Sequence, residues 1–503
     1  MSSMTASGHS RAHVDLHRNL AEKTLRRAAI YSGGNWVSST ASGTMEHRNP
    51  TTGEVQGELV IAGSSEVDDA VSAARAALAG WRSTPADVKR SLLRSLADAI
   101  KANIDDLEVL GVLDNGNTRA TVRAAALRGA DFLDYYAGWP DKLSGLVIPS
   151  YPGDALNYTV PEPFGVVAAM VNWNGPLVAT CRKIGPALAA GNTVVVKSPE
   201  LAPFQVQRFA ELCEAVGIPP GVVNIVPGGP ETGAALVSHA GVDKVSFTGS
   251  TATAKKIMAA AAVNLTPVAL ELGGKAANIV CADADIEKAA AMAGMYGAVV
   301  NSGQGCLLPT LLLVEDGIYD AFMDRVVSVV ESVKIGDPLD RATAMGPLIS
   351  SGARDRVASI IDGAAASGGS TLLTGGARLG GEFEDGYFLQ PTIFGDVDPH
   401  AKIAREEIFG PVLSALRFDS EEEALSIAHG TRYALSGFVH TNDVRRAHRM
   451  AGALKAGSVS VNGINPLAPS VPFGGSGDSG FGREGGEEGL LEFVRTKNVY
   501  VSL

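Results

Sequence analysis

Between residues 163 and 273 the chain alternates short apolar runs with longer amphipathic segments. Runs such as "FGVVAAMVN" and "TVVVK" predict strands that are buried on both faces. The segments between them carry apolar residues at helical spacing, and one ends at Gly191 and Asn192, a typical helix C-terminus. Strands and helices that alternate with short connections predict a doubly wound parallel sheet. Ligands bind such sheets at the carboxyl ends of the strands, so polar residues there are candidate site residues.

A second alternating α/β pattern begins near residue 278 and continues to about residue 460. Two further segments are strand-like but have no obvious sheet partner, which suggests that they pair with another subunit. The predicted fold is therefore α/β, with two doubly wound parallel-sheet domains and a small strand-based oligomerisation extension. The predicted divisions are a disordered arm (1–27), a dinucleotide-binding domain (28–140 and 163–273), a catalytic domain (274–478) and oligomerisation strands (141–162 and 479–503).

Composition and charge exclude several classes of protein. Hydrophobic residues make up 46% of the 503 residues and charged residues 19%, as in soluble globular proteins. The net charge of −12, without a dense basic run, disfavours nucleic-acid binding and attraction to anionic membranes. No apolar run reaches 18 residues, so no membrane span is expected, and the first residues lack an apolar signal-peptide core. The four cysteines form no CxxC pair and the nine histidines no HExxH motif. We therefore expect a reduced, cytoplasmic protein without a metal.

The stretch "NSGQGCLLPT" raises the question of whether Cys306 is a nucleophile. Taken alone it favours a structural cysteine, because free cysteines are among the most often buried residues. Cys181 and Cys213 lie on predicted apolar helices and Cys281 ends a predicted strand. These three are expected to be core residues.

The predicted strand ends carry several groups suited to catalysis or cofactor binding. Asn174 follows a buried strand, where its amide can donate to an oxyanion. Lys197 and Glu200 follow the next strand and suit a phosphate or a ribose diol. Gly249, in "FTGST", opens a helix whose N–H groups can hold a pyrophosphate, and Glu271 precedes two glycines where it can act as a base. Each group also has an ordinary structural interpretation: a turn cap, a surface charge or a turn glycine. The glycine fingerprint of common dinucleotide-binding folds is absent.

Seven segments occur in order along the chain: "NWNGP", "GNTVVVKSPE", "FTGST", "LELGGK", "GQGC", "EEIFGP" and "PFGG…SGFGRE". Together they resemble the aldehyde dehydrogenase superfamily, over about residues 30 to 500. This resemblance reverses the interpretation of Cys306 and identifies it as the nucleophile.

The resemblance also implies a mechanism of the hydrolytic type. The Cys306 thiolate attacks the aldehyde, and the Asn174 amide and the Cys306 N–H hold the oxyanion of the thiohemiacetal. Hydride transfer to the nicotinamide leaves a thioester, and Glu271 activates the water that hydrolyses it. Glu484 matches a position implicated in proton relay in some members.

The resemblance implies NAD as the cofactor. The carboxylate of Glu200 favours NAD over NADP, because it accepts bonds from ribose hydroxyls and repels a 2′-phosphate. The expected cofactor-binding residues are Trp173, Lys197, Glu200, Gly229, Gly249, Ser250, Glu407 and Phe409.

Departures from the family pattern bear on the substrate. Ser198 and Pro199 stand in reversed order, and Gly175 and Leu467 replace aromatic residues. We therefore expect a roomy, apolar site for bulky aldehydes. The strand-like segments lead us to expect a homodimer or a homotetramer. A CoA-acylating dehydrogenase is the alternative within this family, although such members commonly lack the glutamate at position 271. A catalytically silent protein on the same fold is the alternative from another class.

Overall fold

A computed structural model describes residues 6–26, 28–151, 153–465 and 467–503. The helices are α1 (Ala6–Thr24), α2 (Ser64–Ser83), α3 (Ala86–Ala102), α4 (Ile104–Asn115), α5 (Arg119–Ala137), α6 (Pro176–Ala189), α7 (Phe204–Ala215), α8 (Pro230–Ser238), α9 (Thr251–Ala262), α10 (Ile286–Gly294), α11 (Tyr319–Glu331), α12 (Ser351–Ala366), α13 (Lys402–Arg405), α14 (Glu421–Ala428), α15 (Val444–Ala453) and α16 (Gly486–Leu491). The strands are β1 (Ile30–Ser32), β2 (Asn35–Val37), β3 (Thr44–Arg48), β4 (Val55–Val60), β5 (Val147–Ile148), β6 (Ala155–Pro163), β7 (Val166–Met170), β8 (Thr193–Ser198), β9 (Val223–Pro227), β10 (Lys244–Thr248), β11 (Val268–Glu271), β12 (Ala277–Val280), β13 (Leu311–Glu315), β14 (Thr371–Thr374), β15 (Thr392–Gly395), β16 (Val412–Phe418), β17 (Ser436–His440), β18 (Ser458–Val461), β19 (Gly480–Phe481) and β20 (Val494–Ser502).

The first sheet has eight strands in the order β19-β11-β10-β7-β8-β9-β1-β2. Its five central strands are parallel, whereas β1, β2 and β19 run antiparallel to their neighbours at the two edges. Successive side chains of β7 point to opposite faces: Val167 and Ala169 join one hydrophobic cluster, and Val166 and Ala168 join the other. Helices cover both faces, as the apolar composition of these strands predicts.

The second sheet has seven strands in the order β14-β15-β16-β13-β12-β17-β18, all parallel except β14. Separate hydrophobic clusters pack on its two faces. The prediction of two doubly wound sheets is therefore confirmed. No helix in the described ranges combines the length and the continuous hydrophobicity that a bilayer span requires.

The third sheet, β20-β6-β5, corrects one expectation. The two strand-like segments do have a partner within the chain, because β6 pairs with β20 from Ala155↔Ser502 to Pro163↔Val494. The sequence pattern missed this pairing because the two strands are more than 300 residues apart. The segment 479–503 is also not all strand, since it contains β19, in the first sheet, and α16.

The N-terminal arm also differs from the expected disorder over the residues that the structure describes. Ala6–Thr24 forms α1, in which His17 and Ala21 are buried. Asn49 Nδ2 lies 2.9 Å from His17 Nδ1, so Nε2 carries the ring proton and donates to Asp337 Oδ1 at 2.9 Å. Residues 1–5 and 27 of the predicted arm lie outside the described residues.

Candidate active site

The carboxyl ends of β7, β8, β10 and β11 form one rim of the first sheet, because these strands are parallel neighbours. Asn174 lies in the turn between β7 and α6, and Lys197 near the end of β8. Gly249 follows β10 and Glu271 ends β11, and the Gly249 N–H donates to the Glu271 carbonyl at 3.1 Å. The parallel topology thus brings together groups from separate parts of the sequence.

Cys306 follows an unusual loop. Asn301, Ser302 and Gly303 have consecutive left-handed φ values of 56°, 52° and 70°. For the two residues with side chains this conformation costs roughly 1–2 kcal/mol each. Side-chain hydrogen bonds hold the loop: Ser302 Oγ donates to the Gly346 carbonyl at 2.8 Å, and Gln304 Oε1 accepts from the Ile349 N–H at 3.0 Å. The backbone that leads to Cys306 is therefore held from several directions.

One cavity of about 290 Å³ contains the three predicted catalytic residues, Asn174, Glu271 and Cys306. Asn174 Nδ2 donates to the Gln304 carbonyl at 2.8 Å, which orients the amide beside the cysteine loop. An amide carries two N–H groups, so one remains for a ligand in the cavity. The cavity is lined by Asn172, Trp173, Asn174, Thr248, Gly249, Ser250, Glu271, Leu272, Gly273, Cys306, Arg356, Glu407, Ile408 and Phe409.

The four cysteines, all in the described part of the chain, differ in their exposure. Cys181, Cys213 and Cys281 are fully buried, which confirms the prediction that they are core residues, whereas Cys306 is partly exposed. Burial in the cavity wall raises the pKa of Cys306 to about 12, although Arg182 opposes the shift. The thiol is therefore protonated at neutral pH and needs a proton acceptor or a nearby cation to react.

Glu271 is 5% exposed, and neither carboxyl oxygen has a hydrogen-bond partner among the described residues. Burial, followed by the charge of Glu484, raises its pKa well above the ordinary value, while Arg182, Lys183 and Arg483 oppose the shift. A carboxyl group with a raised pKa and no fixed partner is suited to proton transfer.

Glu484 is held by two cations that the sequence analysis missed. Lys183 Nζ donates to Glu484 Oε1 at 2.6 Å and to Ser246 Oγ at 2.9 Å, and Arg182 contacts Glu484 Oε2. Burial alone would raise the pKa of Glu484, but Arg182 and Lys183 lower it below the ordinary value. The available signal was a pair of adjacent basic residues inside the otherwise apolar helix α6.

A second cavity, of about 420 Å³, contains Lys197, Glu200 and Gly229. Lys197 Nζ donates to Glu200 Oε2 at 2.7 Å. Residues 170–171 line this cavity and residues 172–174 line the first, so the two adjoin along one loop.

The second cavity and its rim fit a dinucleotide. Gly229 and Ser250 are the N-cap residues of α8 and α9, whose N-termini carry the partial positive charge that suits a pyrophosphate. Apolar side chains, among them Val237, Phe247 and Ile257, offer a surface for an aromatic base.

The opposite end of the expected cofactor site is formed by the "EEIFGP" segment. Glu407 Oε1 accepts from the Gly274 N–H at 3.0 Å, and the Phe409 and Trp173 rings pack edge to face with centroids 5.3 Å apart. Burial raises the pKa of Glu407 to about 7, against the opposing effects of the Gly274 N–H, Lys275 and Arg356. The sequence analysis did not single out Arg356, which also lines the cavity.

Leu467, which stands where the family pattern has an aromatic residue, lies beside a small cavity. Leu307, Leu467 and Phe473 line a cavity of only about 10 Å³, together with the polar side chains of Ser460 and Asn465. At Gly175, the other departure, an added Cβ would lie 3.1 Å from Val178 Cγ1. The walls near Leu467 are therefore closely packed and mixed in polarity, and they do not form the roomy, apolar space that the sequence led us to expect.

A doubly wound sheet whose strand-end rim has a cavity suited to a dinucleotide is typical of cofactor-dependent oxidoreductases. The family model described as the aldehyde dehydrogenase family matches residues 36–499, and the chain belongs to this family. An aldehyde dehydrogenase of Emericella nidulans is 41% identical over 477 residues, which cover 94% of this chain and 95% of the relative.

Solved structures agree with this assignment. PnpE from Pseudomonas sp. WBC-3 is 40% identical, with a TM-score of 0.92 over 95% of this chain and 98% of its own, and PnpE has also been crystallised with nicotinamide adenine dinucleotide. Betaine aldehyde dehydrogenase from Staphylococcus aureus, in complex with NAD⁺, is 37% identical, with a TM-score of 0.92 over 96% of both chains.

Proposed function

We propose that this chain oxidises an aldehyde to a carboxylic acid with NAD, through a thiohemiacetal and a thioester on Cys306. The observation that carries the proposal is the single cavity that joins Cys306, Asn174 and Glu271 from three separate segments. The adjoining cavity with Lys197, Glu200 and Gly229 and the NAD complexes of two relatives support NAD as the cofactor.

The chemistry follows from the chain's own groups. Water that enters the cavity takes the proton of the Cys306 thiol. The thiolate Sγ then forms a bond to the aldehyde carbon, and the carbonyl π electrons move onto oxygen. The free N–H of the Asn174 amide and the Cys306 backbone N–H donate to that oxyanion. NAD, when bound, accepts the hydride that leaves the carbon, so the aldehyde is oxidised to a thioester. Glu271 then takes a proton from water, the water oxygen attacks the thioester carbon, and the Cys306 thiolate leaves.

The nucleophile is tested by Cys306→Ala. We expect no NADH production but unchanged NAD binding, because no other cysteine lies in the cavity. Cys213→Ala is the matched control and retains substantial activity, because Cys213 is buried in the core. Normal turnover by the Cys306 variant would contradict the assignment.

The role of Glu271 is tested by Glu271→Gln in a stopped-flow assay of NADH. Loss of the water-activating base leaves hydride transfer intact, so we expect a burst of about one NADH per site followed by slow turnover. A proportionate loss of the burst and the steady state would instead assign Glu271 to deprotonation of Cys306.

The preference for NAD rests on Glu200. Its side chain is 30% exposed and that of its partner Lys197 12%. At about 4 Å and an effective dielectric constant of about 20, one like-charge pair costs about 4 kcal/mol. Solvent screening and rotation of Glu200 reduce this cost, so we expect at least a tenfold preference in kcat/KM, equivalent to about 1.4 kcal/mol. Glu200→Gln should shrink the preference through a lower KM for NADP, and equal kcat/KM values in the unmodified enzyme would refute it.

For the substrate we propose bulky or apolar aldehydes, because Gly175 and Leu467 remove two rings at the substrate side. A bulky substrate must open the close packing around Leu467 and Phe473. Gly175→Phe should lower kcat/KM for an aromatic aldehyde more than for acetaldehyde. Equal effects on both substrates would contradict the size argument.

We also propose a homodimer or homotetramer that assembles through the third sheet. β5 and β20 are its open edges, and Val147 in β5 and Tyr500 in β20 are 78% and 54% exposed. Light scattering that gives a stable monomer near 51.9 kDa would contradict this.

A cytoplasmic location is proposed from the four free cysteines, which suit a reducing compartment. Cell fractionation tests it, and recovery of the protein in mitochondria would overturn it. A relative from Mesocricetus auratus, 40% identical, is a mitochondrial aldehyde dehydrogenase.

A further inference from the structure

Two cations share one carboxylate beside the active-site cavity. Arg182 and Lys183 are 8% and 1% exposed, and both pair with the single carboxylate of Glu484. Two positive charges against one negative charge leave one surplus positive charge in a buried region. A buried charge without a counter-charge is costly, so the surplus favours an anion nearby.

The geometry places this surplus next to Glu271, the proposed base. Glu484 and Phe473 exchange both backbone hydrogen bonds, at 2.7 and 2.8 Å, and the Arg182 guanidinium lies 5.7 Å from the centre of the Phe473 ring. The following residue, Gly474, lies against the base, because an added Cβ there would be 2.7 Å from Glu271 Oε1. The charged cluster and the proposed base are therefore separated by one short stretch of backbone.

The charged groups around the thiol act in opposite directions. Arg182 favours the Cys306 thiolate, whereas Glu407, Glu271 and Glu484 disfavour it.

Around Glu271, the cations Arg182, Lys183 and Arg483 favour ionisation and Glu484 disfavours it. Arg182 thus acts on both reacting groups, and its guanidinium cannot lose its charge in the physiological range.

We propose that Arg182 is a positioning residue whose positive charge balances the single negative charge that the reaction places in turn on Cys306, on the substrate oxygen and on Glu271. The inference rests on the proposed function, in which that charge lies in turn on the thiolate, the oxyanion and the departing thiolate. One surplus cation balances one such anion, whichever group carries it.

The test is the rate at which iodoacetamide alkylates Cys306 at fixed pH, located by mass spectrometry, with Cys306→Ala as the background. Arg182→Met removes the surplus charge and should raise the thiol pKa by at least one unit. Because thiolate nucleophilicity rises with pKa with a coefficient of about 0.4–0.5, the rate at fixed pH should fall about threefold or more. Arg182→Lys keeps the charge and should retain most of the rate.

The decisive variant is the double change Arg182→Met with Glu484→Gln. It leaves Lys183 as one unpaired cation and restores the original balance, so we expect faster alkylation than in Arg182→Met alone. If Arg182 had only a structural role, adding Glu484→Gln would lower the alkylation rate further. Arg94→Met, at an exposed arginine, is the matched control and should not change the rate.

An unchanged rate in Arg182→Met, or a double variant no faster than the single one, would overturn the proposal. Thermal unfolding of each variant checks that it is folded. Alkylation needs neither aldehyde nor cofactor, so its result is separate from turnover. Absence of NADH production by the unmodified enzyme would instead overturn the proposed function.

Discussion

Gly303 offers the sharpest test of how the cysteine loop is held. Its φ is 70°, and an added Cβ would lie 2.0 Å from the Gly410 carbonyl oxygen. Ordinary contact begins near 3.4 Å. Gly303→Ala must therefore move the cysteine loop or the "EEIFGP" segment by about 1.4 Å, since both partners are backbone.

The magnitudes separate the effect on activity from the effect on stability. The left-handed alanine costs roughly 1–2 kcal/mol and overpacking about 1–3 kcal/mol more. The sum, about 2–5 kcal/mol, is below the total stability of most folded domains, about 5–15 kcal/mol. The variant should fold with a lowered Tm. A displacement of about 1 Å at reacting groups costs about 100-fold in rate, so kcat/KM should fall by about that factor.

Gly368→Ala is the matched control, because its φ is 71° and an added Cβ would meet nothing within 4 Å. It carries the same backbone strain without the collision and should keep kcat/KM within about threefold. The assay is initial NADH production with one accepted aldehyde, alongside calorimetric unfolding. If Gly303→Ala matched Gly368→Ala in kcat/KM, contact with Gly410 would not position the loop.

Three further predictions concern the cofactor site and the N-terminal helix. In Gly273→Ala an added Cβ would lie 2.1 Å from Glu407 Oε2. The Glu407 carboxyl group must then move, so the KM for NAD should rise about tenfold. An unchanged KM would contradict the importance of this contact. Because the pKa of Glu407 is about 7, its ionised, hydrogen-bond-accepting form increases between pH 6 and 8. The KM for NAD should therefore fall over this range, but stay flat in Glu407→Gln. His17→Ala removes the hydrogen bond to Asp337 and should lower the free energy of unfolding by about 1–3 kcal/mol. We expect a Tm lowered by a few degrees and an unchanged kcat. An unchanged Tm would mean that this bond does not anchor α1.

The sequence predicted the sheets well, for a physical reason. Strands β7 and β9 are buried on both faces, so their apolar runs are visible without knowing the partner strands. β6 is only partly buried and β20 is largely exposed, and each owes its place to the other across the length of the chain. Local pattern does not encode such a partner. The helix α1 was missed because its mean composition is polar and, over residues 12–24, only His17 and Ala21 are buried.

The residues of the candidate site likewise fall into two groups: those that the local sequence indicates and those that only the structure reveals. Asn174, Glu200 and Glu271 follow strands, and the strand-end rule directed attention to them before any resemblance was considered. Arg182 lies within a helix, where apolar spacing implied a core position. Its ion-pair partner, Glu484, is about 300 residues distant, and such a pairing becomes visible only in three dimensions.

The antiparallel edge strand β19 has a consequence for synthesis on the ribosome. The strand that ends in Glu271 receives its outer neighbour, Gly480–Phe481, about 210 residues later. At about 5–20 residues per second, the nascent first domain waits roughly 10–40 s with that edge unpaired. During this interval the free N–H and C=O groups of the edge are a template for pairing with a wrong strand. The first domain in the chain is thus among the last parts to be finished, and a message cut short before codon 480 yields no complete copy of it.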